Sequence, residues 1–503
     1  MVVVIVLSAA AVGIIIKRRS ARRPAGHTAT DCTTTSCLEY KERFHDAMDD
    51  DEDPCDNFYK YVCGAWIDVQ DTAVSVPAKF WTDFIAEVAS KFESVDAPKE
   101  QQASVQKAAA YLQACLGVLK KSNVAGVKSI LTEAGIVWPE RNPKPDFLNA
   151  VFFMSTGAIG VAIENEAYVD AVFELHEQYG EAVMNDVVET LCIQNLVSFT
   201  DVTILESFYG NSESVESAVR GSCFSVSYNT FGYAINYVFL RSNSVPYQEV
   251  VRFAENISRE IPLLLRGNSS LLEKSKSRNN FERMFHVLNM SQPGFYPQIY
   301  EQYPDMTENP LANLIHVLNA TKMHYKGNVD TFLHYDYKEI DFKDFVLTIP
   351  DLLSPVYSSN AHWAIRYGGV GARIAATVFC DYVEGSDNAQ QIYRKNQDCL
   401  SNQTGDKIDV NLQAAIASAA IAPALYEKER AKAKANDPLF MNIWPLKSEQ
   451  IPFVFGCYLM CGLSGGEKMC NVPFKHSVNF ARAFKCAEGS PMNPKKKCWM
   501  LPA

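Results

Sequence analysis

Apolar residues recur at three- and four-residue spacing over much of this chain, the period of one buried helix face. The clearest run is Gln101 to Lys121, where Ala, Leu and Val repeat at helical spacing. Similar patterns span 180–198, 246–265, 310–322 and 411–430. Strict alternation is rarer. Phe345 to Ile349, stopped by Pro350, is the best strand candidate. Pro, Asn and Gly cluster at 290–310 and 487–503, which predicts loops there. No fixed-period repeat occurs, so a solenoid is disfavoured. The pattern predicts a mainly α protein with a small β component, an α+β arrangement dominated by helix.

One apolar stretch breaks the amphipathic rule. Val2 to Ile16 is an uninterrupted run of fifteen residues. As a helix it would span about 22 Å, against roughly 30 Å of membrane hydrocarbon, so it is marginal as a span. Lys17, Arg18, Arg19, Arg22 and Arg23 follow it, and the positive-inside rule places such a flank in the cytosol. Residues 1–23 are therefore expected to be a type II signal-anchor with its basic flank, preceded by cytosolic residues outside this chain. The alternative is an atypical signal peptide on a secreted protein. Residues 24–52 are polar and end in the acidic run Asp49 to Asp53, which is expected to be a solvated linker rather than a calcium site.

Composition narrows the compartment and the partners. The chain has 503 residues and a net charge of −11, so a nucleic-acid partner is disfavoured. Its 14 cysteines are too sparse for a small disulfide scaffold, but their even number and spacings such as Cys32/Cys37 and Cys55/Cys63 suggest bridges in an oxidising compartment. No C-x2-C pair is present, which weakens a metal reading of the cysteines. Five N-x-[ST] sequons, at Asn256, Asn268, Asn289, Asn319 and Asn402, favour a glycosylated ectodomain. The expected location is the plasma membrane with an extracellular C-terminal region, or secretion.

Two segments are far more specific. Near the start stands Asp53-Pro54-Cys55-Asp56-Asn57-Phe58-Tyr59-Lys60-Tyr61-Val62-Cys63-Gly64-Ala65-Trp66. Near the end stand Phe480-Ala481-Arg482-Ala483-Phe484-Lys485-Cys486, Gly489-Ser490-Pro491-Met492-Asn493-Pro494 and Cys498. Between them lie Cys115, Cys223, Tyr367-Gly368-Gly369-Val370-Gly371 and Cys399. In this order the elements closely resemble the neprilysin and endothelin-converting-enzyme family of membrane-bound zinc metallopeptidases. The resemblance implies a two-lobed fold, with a thermolysin-like lobe and a helical cap lobe. The cap is expected to be reduced, because Cys115 and Cys223 stand closer along the chain than the family places them. The implied division is 53–334 for the N-terminal region including the cap and 335–503 for the peptidase region. The resemblance also implies the bridges Cys32–Cys37, Cys55–Cys486, Cys63–Cys461, Cys115–Cys223 and Cys399–Cys498, and leaves Cys192, Cys380, Cys457 and Cys470 without family partners.

The family's chemistry needs H-E-x-x-H on a helix, where two His one turn apart bind zinc and the Glu serves as general base. In register with the Tyr367–Gly371 segment, this chain has Ala376 and Cys380 for the two His and Thr377 for the Glu. The later E-N-x-A-D motif aligns with Gln413 to Ala417, so Gln413 replaces the carboxylate ligand and Ala417 the orienting Asp. Met469 stands for the arginine that grips a substrate carbonyl, and Tyr335-Asp336-Tyr337 lacks the Asn-Ala of the substrate-binding strand. The nine His contain no pair four apart that could rebuild the site. A Cys380–Cys470 bridge across the lost centre is one expected rearrangement. The implied protein is a neprilysin-like extracellular glycoprotein, a pseudopeptidase without zinc, that binds a peptide or protein or pairs with an active relative. Its rivals are an active zinc metalloendopeptidase and a structural surface protein.

Overall fold

The computed structural model describes residues 31–69, 75–120, 212–241, 247–264, 291–324, 349–384, 387–405, 410–434 and 437–498, with a few isolated positions between them. The apolar run Val2 to Ile16, the periodic segment 181–198 and the segment Tyr335-Asp336-Tyr337 lie outside the described residues.

Helices dominate. In chain order they are α1 (Thr35–Ala47), α2 (Phe58–Val69), α3 (Val76–Glu93), α4 (Ser104–Leu116), α5 (Ser212–Arg241), α6 (Tyr247–Leu264), α7 (Tyr296–Tyr300) and α8 (Pro310–His324). They continue with α9 (Trp363–Arg366), α10 (Ala372–Glu384), α11 (Asp387–Thr404), α12 (Val410–Arg430), α13 (Ile451–Tyr458), α14 (Gly466–Lys475) and α15 (Val478–Phe484). Four of the five periodic segments are thus recovered as α4, α6, α8 and α12. Among the described residues no strand forms, and bridge pairing is confined to Asp31–Asn442, Ile443–Leu446 and Ser490–Asn493. The strand expected at Phe345 to Ile349 is described only at Leu347 and Ile349, and Ile349 leads into a 3-10 turn at Pro350–Leu352. Proline favours that turn, because its fixed φ suits the first position of a tight helix.

The polar stretch 24–52, expected to be linker, contains α1. Its mean composition hides a buried stripe, Cys37, Tyr40, Phe44 and Ala47, at three- and four-residue spacing. The Thr34 hydroxyl accepts from the Cys37 amide at 3.3 Å, capping the helix start. The 290–310 loop likewise holds one short helix, α7, with Pro297 in its first turn.

The chain divides into two compact units. The first gathers residues up to 71, 360–372 and 419–497. Its core is aromatic. Tyr40 and Phe44 of α1 meet Phe455 at 5.7 and 6.3 Å. Phe58 of α2 meets Phe474, Phe480 and Phe484 at 5.4, 4.7 and 5.0 Å, mostly edge-on. Each ring so buried contributes about 1.5–3 kcal/mol, with a further ~1 kcal/mol from favourable ring geometry. Two bridges, Cys55–Cys486 and Cys63–Cys461, join the chain's early and late segments within this unit.

The second unit takes residues 72–359, 373–418 and 498–503. Trp81 and Phe84 of α3 pack on Phe224 and Tyr228 of α5 at 5.4 to 5.9 Å. Cys115–Cys223 fastens α4 to α5, and Cys399–Cys498 fastens α11 to the C-terminal segment. Lys107 of α4 is buried among these helices. Its ammonium donates to the carbonyls of Tyr300 (3.2 Å) and Tyr303 (2.5 Å) at the end of α7, and burial lowers its pKa.

Candidate functional site

The resemblance places the family's zinc-binding positions on α10 as an expectation. The segment before it, Tyr367 to Gly371, forms a π turn in which all five residues are buried. Gly368 is required here: a Cβ on it would sit 2.6 Å from the Pro452 carbonyl oxygen. The glycine therefore lets two backbones touch, whether or not chemistry follows.

Ala376 and Thr377 lie on the buried side of α10, at 1% and 7% relative exposure. Ala376 offers no donor atom. The Thr377 hydroxyl donates to the Arg373 carbonyl one turn back, at 3.2 Å, and so is spent on its own helix. Cys380 follows one turn after Ala376 on the same helix, and Gln413 and Ala417 are on α12; their side chains are outside the described residues. Positions 376 and 380 share one helix face, the spacing that the zinc motif exploits. Two neutral residues and one thiol do not fit a zinc ion that calls for imidazole and carboxylate donors. Among the described residues, no group of three or more His, Cys, Asp and Glu is arranged to hold a metal.

A charge pair stands beside these positions. Arg373 is ion-paired with Asp351 of the 3-10 turn; the side chains are 22% and 2% exposed. A buried carboxylate needs such a counter-charge, since its desolvation otherwise costs several kcal/mol. Sequence reading missed this pair. The signal was available as two charged residues inside otherwise apolar stretches.

Met469 lies half-buried on α14. The helix is pinned on both sides of it. Glu467 accepts from the Asn57 side chain at 2.8 Å; Asn471 accepts from the Tyr59 amide at 2.8 Å and donates to the Asn57 side-chain oxygen at 2.9 Å. Cys470 is bonded to Cys457 of α13, with Cα atoms 5.1 Å apart. This corrects the expected Cys380–Cys470 bridge. Packing of α13 against α14 gives Cys470 a nearer thiol than the family comparison could supply. The bridge pairs named from the resemblance are placed at bonding distance: Cys32–Cys37, Cys55–Cys486, Cys63–Cys461, Cys115–Cys223 and Cys399–Cys498.

Two buried histidines, His362 and His476, are packed into the fold. His362 is fully buried, with Nδ1 accepting from the Ala364 amide at 3.0 Å and Nε2 2.6 Å from the Met441 carbonyl. That arrangement fixes the neutral tautomer with its proton on Nε2. Burial pushes the His362 imidazole down to about 4. His476 is pushed down to about 4 as well, by burial and then by Lys475 and Lys497. Of the sequons, Asn256, Asn289 and Asn402 are exposed and fall in the second unit, and the Asn319 side chain and Asn268 lie outside the described residues.

No family model matches this chain. Two curated relatives do. Membrane metallo-endopeptidase-like 1 of Mus musculus is 28% identical over 130 residues, 25% of this chain and 17% of the relative. Neprilysin-1 of Trittame loki is 27% identical over 118 residues, 22% of this chain and 16% of the relative. The matched segments thus span about a sixth of those relatives' length. Two solved structures share the fold over almost the whole chain. The Haemonchus galactose containing glycoprotein complex has a TM-score of 0.56 at 12% identity, covering 93% of this chain and 99% of that one. The Mycobacterium tuberculosis zinc metalloprotease Zmp1, solved with an inhibitor, has a TM-score of 0.52 at 11% identity, covering 90% and 98%. The fold is therefore mainly helical and similar to that of Zmp1. Together with the motif landmarks, the curated relatives and this fold support a relationship to neprilysin-like metallo-endopeptidases. Its bridges fit an extracellular or secreted protein. No helix among the described residues is long and apolar enough to cross a membrane.

Proposed function

We propose that this chain is a neprilysin-like extracellular glycoprotein that has lost zinc-dependent peptide hydrolysis and acts by binding a peptide or protein. The observation that carries the reading is the state of α10. Ala376 and Thr377 stand at the family's first zinc-ligand and general-base positions, and both are packed into the helical interior. Without an imidazole at 376 there is no first ligand. Without a carboxylate at 377 no group takes the proton from an attacking water. Cys380 and Gln413 add at most one soft donor and one neutral amide. Met469 removes the cation that would grip a substrate carbonyl, so any retained peptide binding uses other contacts. The apolar run Val2 to Ile16 with its basic flank supports attachment to a membrane as a signal-anchor.

The test is metal analysis of the purified protein beside a peptide-hydrolysis assay. The expected result is sub-stoichiometric zinc and no cleavage that a chelator abolishes. Stoichiometric zinc with chelator-sensitive cleavage would instead establish an active metalloendopeptidase. With hydrolysis absent, titration against bioactive peptides separates a binding protein, which saturates, from a structural surface protein, which does not.

A further inference from the structure

The sign of the charge reverses in one part of the first unit. Between positions 475 and 497 the chain carries Lys475, Arg482, Lys485, Lys495, Lys496 and Lys497 against a single acidic residue, Glu488, although the chain as a whole is at −11. Arg482, Lys485, Lys495 and Lys496 are exposed.

These cations sit on a fixed frame. Cys55–Cys486 anchors the start of the loop after α15. The Gly489 amide donates to the Asn493 carbonyl at 2.8 Å, and the Asn493 side chain donates to the Cys486 carbonyl at 2.8 Å. The Met492 amide donates to the Cys55 carbonyl at 2.9 Å. At the far end, the Lys497 ammonium donates to the Lys475 carbonyl at 2.6 Å, folding the loop back onto the end of α14. Lys495 lies along Gly489, its Cε 3.7 Å from where a Cβ would stand. Lys475 and Lys497 both depress the buried His476 imidazole between them, so their charges converge. Among the described residues, no carboxylate pairs with Lys475, Arg482, Lys485 or Lys495. Asp53, whose carboxylate accepts from the Cys55 amide at 2.8 Å, and Asp56 border the cluster through the Cys55–Cys486 bridge.

We propose that the face carrying Arg482, Lys485, Lys495 and Lys496 docks a sulfated polysaccharide. Fixed, solvent-facing cations attract a polyanion without the cost of ordering a loop. Nucleic acid fits less well, because Phe480 and Phe484 are buried and leave no ring in this segment to stack a base. The bridges fit an extracellular or secreted protein, and outside the cell sulfated glycans are the abundant linear polyanions. The proposal is independent of whether peptide hydrolysis has been lost.

The experiment is chromatography of the full chain, bridges intact, on immobilised heparin, with Arg482→Glu, Lys485→Glu, Lys495→Glu and Lys496→Glu combined in one variant. Lys497 is left alone because it props the loop. Wild type is expected to bind at physiological ionic strength and elute at higher salt. The variant is expected to bind at least tenfold more weakly with an unchanged melting temperature. A control carrying Lys79→Glu and Lys99→Glu should elute with wild type. A milder variant with Gln at the four positions guards against misfolding and should also lose retention. Wild type in the flow-through, undiminished binding by a folded variant, equal binding to desulfated heparin, or binding to phosphatidylserine vesicles without binding to heparin would each overturn the proposal.

Discussion

Helix α14 and helix α10 both carry positions where the neprilysin-like family keeps catalytic machinery, and they have been treated differently. Around α14 the scaffold is dense: a bridge to α13, side-chain hydrogen bonds to Asn57 and Tyr59, and Gly466 close against the Met460 carbonyl. Around the described part of α10 the corresponding positions are packed and locally hydrogen-bonded. Ala376 fills space, Thr377 bonds its own helix, and Arg373 answers the charge of Asp351. Scaffold residues answer to their neighbours in the fold, whatever the activity. Ligands answer to the metal, and without it the helix needs only volume and satisfied polar groups.

The largest expected effect comes from cutting the scaffold. Cys55→Ser with Cys486→Ser opens a bridge spanning 431 positions. Its loss should cost about 2–5 kcal/mol and sharply reduce the yield of secreted, folded protein. Denaturant unfolding of whatever folds is the measure. Near-wild-type stability would show that the aromatic cluster around Phe58 suffices, and the contrast between α14 and α10 would weaken.

Next is the charge pair that stands beside Ala376 and Thr377. Asp351→Ala leaves the Arg373 guanidinium without its partner. Breaking a buried pair costs about 3–5 kcal/mol, and Arg373 is 22% exposed, so about 2 kcal/mol is expected here. Adding Arg373→Met should restore much of the loss, because it removes the stranded charge. A double-mutant cycle with no coupling would show that the two residues act independently.

How far the sequence could be read follows the same division. Helical period exposed α4, α6, α8 and α12, because their apolar residues recur at three- and four-residue spacing along the sequence. α1 was hidden within 24–52 by flanking polar residues, although Tyr40 and Phe44 carry its stripe. At 376 and 377, identity alone shows that Ala and Thr stand where the resemblance implies His and Glu. It could not show what the replacements do. The Asp351–Arg373 pair and the Cys457–Cys470 bridge join residues 22 and 13 positions apart through tertiary packing, which no local pattern encodes. The pairing of Cys470 with Cys457 also shows how a residue with no family counterpart misleads: without a template, the nearest thiol in space is not evident from the chain.

The smallest effect is the most diagnostic. Thr377→Val removes a hydroxyl whose described hydrogen bond is to the Arg373 carbonyl, 3.2 Å away on the same helix. That carbonyl also faces the helix's own amide, so losing a back-bond of this kind changes stability by under about 0.5 kcal/mol, in either direction. The methyl that replaces the hydroxyl is tolerated where Thr377 is already 7% exposed. In thermal unfolding the variant should therefore be almost indistinguishable from wild type, and its ligand binding should be unchanged. A residue serving as catalytic base would instead show its loss in turnover by orders of magnitude. If Thr377→Val abolished a measurable hydrolytic activity while leaving the fold intact, position 377 would still be a working site, and the reading of α10 as packed interior would fail.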